Sequence, residues 1–279
     1  MTIKAIAMDM DGTLLNDEKV ITEQTKEALV TAQKQGIKVI LASGRPTPGL
    51  FKYAEELSME NYDGIGLSFN GAHVLDYRTN EVLFEQRMSL EMSKAILEHL
   101  KNFDVKPMIC HQDYMYVNDV YHNKIQLDNG EQTNIIEYEA RAGGYKLCEV
   151  NDLAGFCDFP LHKILVAADP DYLKQHYKEM MQPFEGQVSA LFSAPFYFEF
   201  TDLGITKAKA MIATLPKLGI KQEELLAFGD GQNDQAMVEY AGVGVAMDNA
   251  TDELKQAADE TTLSNNEDGI AHTLRKYLI

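Results

Sequence analysis

Tryptophan is absent from this sequence, cysteine is rare, and basic side chains are few. The three cysteines, Cys110, Cys148 and Cys157, are odd in number and have no C-x-x-C spacing, so neither a disulfide framework nor a zinc site is indicated. We expect buried structural thiols. Lysine and arginine number 25 against 43 aspartates and glutamates, which gives a net charge of −18. This charge opposes non-specific binding to nucleic acid or acidic lipid, because both depend on clustered cations.

Long apolar runs are absent as well. No stretch approaches the roughly 20 apolar residues that a helix needs to cross a membrane, and the first residues lack the basic start and apolar stretch of a secretory signal. With 45% hydrophobic and 24% charged residues, the composition is that of an ordinary globular protein, and 279 residues suffice for two domains. We therefore expect a cytoplasmic protein without membrane or nucleic-acid partners.

Short apolar runs without alternation recur along the chain and are separated by helix-like segments. The segment TEQTKEALVTAQKQG, for example, has Thr22 as a cap and Gly36 as its stop. Such runs indicate a parallel sheet covered on both faces, which predicts an α/β, Rossmann-like fold. In these sheets, ligands bind beyond the carboxyl ends of the strands. Four of the runs end in polar residues: Asp9, Ser43, Asn70 and Asp230.

The middle of the chain has a different pattern. It contains one predicted helix, SLEMSKAILEHLKNF, and aromatic segments such as LFSAPFYFEFT that are typical of antiparallel strands. We expect residues 84–195 to form an inserted α+β domain, with residues 1–83 and 196–279 forming the first domain. The hinges are predicted near residues 82–87 and 193–196.

The first apolar run ends in the motif DMDGT, which contains Asp9 and Asp11. Aspartate and glycine are common in turns, so this motif alone is a modest signal. A calcium loop is one alternative, but its sixth position would be Leu14 rather than glycine and its twelfth Val20 rather than glutamate. The motif therefore does not match a calcium loop.

A second acidic cluster, GDGQND, follows another apolar run and contains Asp230 and Asp234. Two such clusters at adjacent strand ends would bring Asp9, Asp11 and Asp230 close together, with Asp234 as a further candidate. Uncompensated carboxylates repel each other, so a hard divalent cation with oxygen ligands, most naturally Mg²⁺, is expected among them.

Two groups suited to phosphate accompany the acidic motifs. Ser43, in LASGR, offers a hydroxyl and neighbouring backbone amides, and Lys207, in GITKAKA, offers a positive charge near a predicted helix N-terminus. Taken singly, a Ser-Gly pair is more often a turn, and a lysine is more often a solvated surface residue. Their joint order with the acidic motifs favours a function.

That order, strand-DMDGT, strand-SGR, lysine and strand-GDGQND, resembles the haloacid dehalogenase-like superfamily of aspartate-dependent phosphatases. The segments MDMDGTLL, ASGRP, FNGA, GDGQNDQAMVEYAGVGVAMDNA and SNNEDGIA are similar to the Cof branch, and the chain length resembles that of its YidA-type sugar-phosphate phosphatases. The resemblance implies a Rossmann-like core interrupted by a C2-type cap. It also implies Mg²⁺-dependent hydrolysis of small phosphomonoesters, with sugar phosphates as the expected substrates.

The resemblance further implies roles for the acidic residues. Asp9 would be the nucleophile that forms an aspartyl-phosphate. Asp11 would be the general acid that protonates the leaving oxygen and later the base that activates water. Mg²⁺ would be held by the Asp9 carboxylate, the backbone carbonyl of Asp11 and the carboxylate of Asp230.

The remaining motif residues would surround the phosphoryl group. Ser43, Gly44 and Lys207 would bind its oxygens, and Asn233 would orient the phosphate or the nucleophile. Asp234 would fix a metal-bound water or Lys207.

Two positions leave the local geometry open. Family members commonly have asparagine before the lysine and glycine after it, whereas Thr206 and Ala208 stand here, and Ala208 would be strained if the loop required a positive φ. Asn70 and Gly71 would either contact substrate or form the turn that leads into the insert. The turn preference of Asn-Gly favours the second reading.

Substrate choice is expected to belong to the inserted domain. His111, Tyr114 and Tyr116 there, with Arg45 in the first domain, would suit a sugar phosphate, but packing explains the aromatic residues equally well and is the preferred reading. Two other functions stay open, a phosphotransferase or mutase and a non-catalytic sensor, although a sensor has no need of the Asp11 carboxylate. In each case the partner is a small phosphorylated metabolite.

Overall fold

The chain folds into two compact units, as described by a computed structural model of residues 2–126 and 132–278. One unit comprises the chain up to Glu85 together with the chain from Thr206 onward. The other runs from Gln86 to Ile205 and is therefore inserted between two stretches of the first.

The strands are short, and within the described residues there are sixteen of them. In chain order they are β1 (Ala5–Met8), β2 (Lys38–Ala42), β3 (Ile65–Ser68), β4 (His73–Asp76), β5 (Val82–Glu85), β6 (Lys106–His111), β7 (Tyr114–Val117), β8 (Lys124–Gln126), β9 (Gln132–Asn134), β10 (Lys146–Glu149), β11 (Lys163–Ala167), β12 (Val188–Ala194), β13 (Tyr197–Asp202), β14 (Leu225–Gly229), β15 (Val243–Ala246) and β16 (Glu260–Thr261).

Ten α-helices accompany the strands in the same part of the chain. They are α1 (Glu23–Lys34), α2 (Pro48–Glu56), α3 (Leu90–Leu100), α4 (Ile135–Gly143), α5 (Leu153–Phe156), α6 (Pro170–Met181), α7 (Lys207–Thr214), α8 (Gln235–Tyr240), α9 (Asp252–Ala257) and α10 (Gly269–Leu278). Among the described residues, no helix combines the length and the apolar character that a membrane crossing requires.

The first unit is built on one eight-stranded sheet, in the order β16-β15-β14-β1-β2-β3-β4-β5. Neighbouring strands are parallel from β16 to β3, which confirms the predicted α/β fold. The pairs β3-β4 and β4-β5 are antiparallel. This edge was not predicted; it arises because only a short turn over residues 69–72 joins β3 to β4, and so short a connection cannot return a parallel strand.

Strand β1 shows why these runs lack hydrophobic alternation. Its side chains at Ile6 and Met8 belong to one apolar cluster, and those at Ala5 and Ala7 belong to another. Successive side chains of a strand point to opposite faces, so both faces of β1 are buried. Burying a side chain such as Ile6 contributes roughly 1.5–3 kcal/mol to stability. On one face, α1 lies beside α10, and the predicted cap of α1 is present, since Thr22 Oγ1 accepts the Thr25 N–H.

The second unit contains a six-stranded sheet in the order β10-β7-β6-β11-β13-β12. Its pairs are antiparallel except for β10-β7. Along β11, Ile164 and Val166 pack into one apolar cluster, and Leu165 and Ala167 pack into another on the opposite face. With its helices, the unit has the α+β organisation that the aromatic, alternating pattern predicted.

The boundaries of the insert differ from the predicted 84–195. Strand β5 extends to Glu85, and β13 pairs antiparallel with both β11 and β12, so it belongs to the second unit. The hinge predicted at residues 193–196 is therefore wrong. Those residues are the end of β12 and its connection to β13, and the unit ends ten residues beyond the predicted limit, at Ile205.

Candidate active site

Asp9 follows the central strand β1 directly and is 7% exposed. Its N–H donates to Phe228 O on β14 over 3.1 Å, so the sheet fixes its backbone. The chain then reverses through Gly12, which has φ +88°. A Cβ atom at Gly12 would lie 2.4 Å from Asp230 Oδ2, so glycine is required both by the backbone and by the nearby carboxylate.

Lys207 joins the two acidic motifs. Its side chain is fully buried, and Nζ donates to Asp9 Oδ1 over 2.5 Å and to Asp234 Oδ1 over 2.6 Å. The other oxygen of Asp234 accepts the N–H groups of Asp230 and Gly231, at 3.0 and 2.9 Å. Asp234 therefore fixes both the ammonium group and the loop after β14.

The lysine loop is a helix start rather than a positive-φ turn. Lys207 is the first residue of α7, and Thr206 caps the helix by accepting the Lys209 N–H on Oγ1 over 3.1 Å. Ala208 lies inside the helix, with a negative φ. The strain considered for Ala208 is therefore absent, and the threonine before the lysine has a structural use.

Three carboxylates approach one another at this point. One side-chain oxygen from each of Asp9, Asp230 and Asp234 lies within 4.8 Å of the others. Burial raises the pKa of Asp9 to about 8, and its acidic neighbours add to this, against the opposing charge of Lys207. Burial also raises the pKa of Asp230 to about 6, although the Thr13 hydroxyl, which donates to Asp230 Oδ1 over 2.6 Å, opposes the shift. The site thus concentrates more negative charge than one ammonium group balances.

These residues fit a hard divalent cation. Among the hydrogen bonds of the described residues, none reaches Oδ2 of Asp9 or Oδ2 of Asp230, whereas both oxygens of Asp234 accept hydrogen bonds. Carboxylate oxygens are the ligands that Mg²⁺ prefers. Asp9 and Asp230 therefore retain oxygens for a metal, and Asp234 is better suited to holding Lys207.

Asp11 points to a different set of partners. Arg45 binds it with two hydrogen bonds, from Nε to Oδ2 over 2.7 Å and from Nη2 to Oδ1 over 2.8 Å, and Lys19 Nζ lies 3.0 Å from Oδ1. The guanidinium group also lies over the Tyr53 ring, 5.5 Å from its centroid. Partial burial raises the pKa of Asp11, but Arg45 and Lys19 outweigh it and keep this pKa below its usual value.

Ser43 follows β2 and lies in the third loop of the site. It is buried, and its Oγ accepts the Arg45 N–H over 3.1 Å. Its carbonyl accepts the Asn70 N–H over 2.9 Å, and Asn70 Oδ1 accepts Asn233 Nδ2 over 3.0 Å. Gly44 lies against the Asn70 carboxamide, since a Cβ there would be 3.1 Å from Oδ1. Asn70 thus connects two of the predicted phosphate-binding loops.

The structure places all the predicted site residues in the first unit, in the loops that follow β1, β2 and β14 and at the start of α7. Sequence reasoning did not identify the bidentate contact of Arg45 with Asp11 or the contact of Asn70 with Asn233. The signals were present in the SGR and FNGA motifs, but no spacing rule pairs residues so far apart in the chain.

The second unit contains the residues considered for substrate choice. The His111 ring stacks on Phe159 with centroids 4.1 Å apart, and Tyr116 packs against Phe156 at 4.6 Å. These contacts are consistent with packing roles. All three cysteines are free thiols; Cys157 is buried as predicted, whereas Cys110 and Cys148 are only half-buried, so the prediction was wrong for those two.

The chain is similar to known proteins over almost its whole length. A family model described as haloacid dehalogenase-like hydrolase matches residues 6–274. The putative phosphatase YxeH of Bacillus subtilis is 30% identical over 99% of this chain and 98% of its own. The 5-amino-6-(5-phospho-D-ribitylamino)uracil phosphatase YcsE of the same organism is 31% identical over 99% of this chain and 96% of its own.

A solved structure extends the agreement to the fold. A haloacid dehalogenase-like hydrolase from Bacteroides thetaiotaomicron superimposes with a TM-score of 0.90 and 31% identity, and the match covers 99% of both chains. The resemblance inferred from the motifs is therefore confirmed, and this chain belongs to the haloacid dehalogenase-like hydrolases.

Proposed function

We propose that this protein is a phosphatase that hydrolyses small phosphomonoesters through an aspartyl-phosphate on Asp9, with Mg²⁺ as its cofactor. The main support for this proposal is the position of Asp9. Its carboxylate is buried at the end of the central strand, one oxygen is held by Lys207, and Asp230 lies beside it. The phosphatase relatives support the class of reaction.

The size of the barrier supports a covalent route. Enzymes accelerate phosphate-monoester hydrolysis by up to about 10²¹, whereas one general acid supplies roughly 10²–10⁴. Proton transfer alone is therefore insufficient. A covalent intermediate and neutralisation of charge on the phosphoryl oxygens must supply most of the remainder.

In the first step, a bond forms between an Asp9 carboxylate oxygen and phosphorus while the bond from phosphorus to the ester oxygen breaks. Asp11 gives a proton to the departing oxygen. In the second step, water attacks phosphorus while Asp11 takes a proton from it, which releases inorganic phosphate and restores both carboxyl groups. Arg45, through its two hydrogen bonds, holds the carboxylate form of Asp11 in one orientation, and this is the form that takes the proton from water.

Binding an anion beside Asp9 needs local positive charge. Two unit charges of the same sign 4 Å apart repel by roughly 4 kcal/mol at an effective dielectric constant of 20. Lys207 supplies part of the compensation. Mg²⁺, held by the carboxylates of Asp9 and Asp230 and the backbone carbonyl of Asp11, would supply the rest when bound. The net charge of −18 does not prevent anion binding, because nearby charges dominate the field in the site.

The phosphoryl oxygens need hydrogen-bond donors as well. The Ser43 hydroxyl, the Gly44 backbone amide and the Asn233 side-chain amide are the proposed donors, together with Lys207. All of these residues belong to loops that follow strands β2 and β14 or to the start of α7. This placement is the one expected for a ligand site in a parallel α/β sheet.

The proposed substrates are phosphate esters of small polyhydroxylated alcohols, sugar phosphates above all. The named substrate of the relative YcsE is an ester of this type, since its phosphate is on a ribityl group. We expect the inserted unit to select the alcohol, because the described core residues offer partners for phosphate and metal. We expect a cytoplasmic location, which is consistent with substrates of this kind.

The test is release of inorganic phosphate from a panel of phosphomonoesters that includes sugar phosphates, with Mg²⁺ and with chelator. We expect wild-type protein to release phosphate only with metal, and Asp9→Asn to release none while it remains folded. Asp248→Asn is a matched control, because Asp248 is an exposed aspartate of the same unit whose side chain pairs with Lys255. Unaltered turnover in Asp9→Asn would refute the covalent scheme.

The same assay separates the alternatives. A phosphotransferase or mutase would release little phosphate in plain buffer and would respond to an added alcohol. A non-catalytic sensor would bind phosphate esters without cleaving them. The presence of Asp11 favours an enzyme, because a sensor has no need of this carboxylate.

A further inference from the structure

The turn between β3 and β4 has an unusual backbone. Phe69, Asn70 and Gly71 all have positive φ, at +52°, +56° and +104°. Positive φ is uncommon for residues other than glycine, and such residues concentrate at functional sites. If the turn alone mattered, glycine at position 70 would satisfy the backbone without strain. The asparagine side chain therefore calls for a separate explanation.

The contacts of Asn70 supply one. The residue is 6% exposed and lies between two loops of the site. Its backbone N–H donates to Ser43 O over 2.9 Å, and its Oδ1 accepts Asn233 Nδ2 over 3.0 Å. The same carboxamide lies against Gly44, where a Cβ atom would approach Oδ1 to 3.1 Å. One buried side chain thus touches the loops after both β2 and β14.

The neighbouring residue adds a third loop. At Gly71, a Cβ atom would lie 2.5 Å from Thr206 O, so the turn packs directly on the residue that caps α7 and precedes Lys207. The packing of this turn on Thr206 therefore fixes the position of Asn70 relative to Lys207.

The hydrogen bond to Asn70 has a chemical consequence for Asn233. A carboxamide presents an oxygen on one side and an NH₂ group with two protons on the other. When Asn70 accepts one proton, the amide of Asn233 cannot turn its oxygen to that side, and the second proton remains for another acceptor. Phosphoryl oxygens accept hydrogen bonds and repel an amide oxygen, so this orientation favours phosphate.

We propose that Asn70 is a positioning residue, which orients the Asn233 amide and supports the Ser43–Gly44 loop for the phosphoryl group. This inference rests on the proposed function, since it presumes a phosphate site. It replaces the reading of Asn70 as a turn residue only. The residue acts through Asn233 and need not touch the substrate.

The variant Asn70→Gly separates the two readings, because glycine keeps the positive φ and removes only the carboxamide. Inhibition by inorganic phosphate and kcat/KM on the best ester of the panel are measured for Asn70→Gly, Asn233→Ala and the double variant, together with thermal unfolding. We expect Asn70→Gly to weaken phosphate inhibition and lower kcat/KM by about tenfold, as is typical for residues that orient a ligand-binding group. We expect only a small fall in its Tm, because relief of the positive φ partly offsets the greater freedom of the unfolded chain and the lost hydrogen bond.

The double variant gives a measurement that a purely structural role of Asn70 would not affect. If Asn70 acts through Asn233, the two losses are not additive, and Asn70→Gly has little further effect in the Asn233→Ala background. Asn80→Gly is the matched control. Asn80 has the same left-handed backbone, at φ +57°, in an exposed turn between β4 and β5, and should keep wild-type phosphate inhibition.

Three results would overturn the inference. If Asn70→Gly shows wild-type phosphate inhibition, Asn70 serves only the turn. The same conclusion follows if the losses of kcat/KM in Asn70→Gly and Asn233→Ala are fully additive. A wild-type protein that neither releases phosphate from any ester nor binds it would overturn the proposed function, and this inference with it. The last result is distinguishable because it appears before any variant is made.

Discussion

At the scale of single residues, the carboxylate of Asp11 is held by two cations that do not touch Asp9. Arg45 binds both of its oxygens, and Lys19 binds one of them. A bidentate guanidinium contact fixes direction as well as charge. Arg45 is therefore placed to decide where the proposed acid points.

The substitution Arg45→Met tests this role through the leaving group. Alkyl phosphates need a proton on the departing oxygen, whereas 4-nitrophenyl phosphate departs as a stable anion, so loss of an oriented acid should slow alkyl esters at least tenfold more than the aryl ester. Steady-state kinetics on both esters measures the difference. Lys52→Met is the control, because Lys52 lies over the same Tyr53 ring at 4.9 Å and is exposed. Equal slowing of both esters would contradict the role.

The second unit contains a buried ion pair suited to a stability test. Lys163 and Glu199 lie 2.9 Å apart, with side chains 8% and 4% exposed. Removing one partner of such a pair typically costs 3–5 kcal/mol, because the other charge stays buried. We expect Lys163→Met to lower the free energy of unfolding by about that amount in urea titrations, and Glu199→Gln by less, because the negative charge of Glu139 also acts on Lys163.

The exposed pair of Lys101 and Glu98, on and after α3, provides the comparison. Glu98→Gln should leave the free energy of unfolding nearly unchanged, as is usual for surface pairs. A change of similar size at Glu98 and Glu199 would show that burial does not distinguish the two pairs.

At the scale of elements, α7 depends on its first residues. Thr206 caps the helix on which Lys207 is the first residue. Loss of a threonine cap costs about 1 kcal/mol. We expect Thr206→Ala to show this loss in thermal unfolding and also to lower kcat, since fraying of the first turn moves Lys207 relative to Asp9.

Ser89→Ala is the control for the cap, because Ser89 caps α3 in the second unit by accepting the Met92 N–H. Ser89→Ala should lower the free energy of unfolding by a similar amount and leave kcat unchanged. Unchanged kcat in both variants would show that the first turn of α7 keeps Lys207 in place without its cap.

The elements that could be predicted are those fixed by local pattern. Asp9, Ser43 and Asp230 could be placed at one sheet edge because each follows a strand in a parallel sheet. The role of β13 could not, because its pairing with β11 joins segments that are distant in sequence. The connection from β12 to β13 contains proline and looked like a boundary, although it is a turn within one sheet.

The predicted site had a similar limit. Motifs identified which residues converge, but not which of their atoms meet. The bond from Asn233 to Asn70 depends on a tertiary contact that no spacing in the sequence encodes. The cap at Thr206 is a local contact between residues three apart, and a threonine before the predicted helix is itself a signal for it.

At the scale of the whole molecule, metal binding should appear as stability. A ligand that binds only the folded state adds RT ln(1 + [L]/Kd), or about 2.7 kcal/mol at 100 times Kd. We expect Mg²⁺ to raise the Tm of wild-type protein, chelator to reverse the rise, and Asp230→Asn to abolish most of it. Calorimetry measures all three, and an equal rise in Asp230→Asn would exclude Asp230 as a ligand.

The net charge of −18 also acts on the whole molecule. The expectations that the protein avoids nucleic acid and acidic membranes, and that it is cytoplasmic, stay predictions from composition. They are compatible with a phosphate site, because Lys207 and a bound cation act at short range.

The sheet order has a consequence for synthesis on the ribosome. Strand β1 pairs with β2 on one side and with β14 on the other, so the strand that precedes Asp9 keeps an unpaired edge until residue 229 has been made. The inserted unit is complete earlier, at Ile205. Because domains fold as units while the chain emerges, we expect the insert to fold before the unit that begins the chain. An open strand edge is a template for wrong pairing, so the nascent enzyme depends on protection of its own central strand for most of its translation.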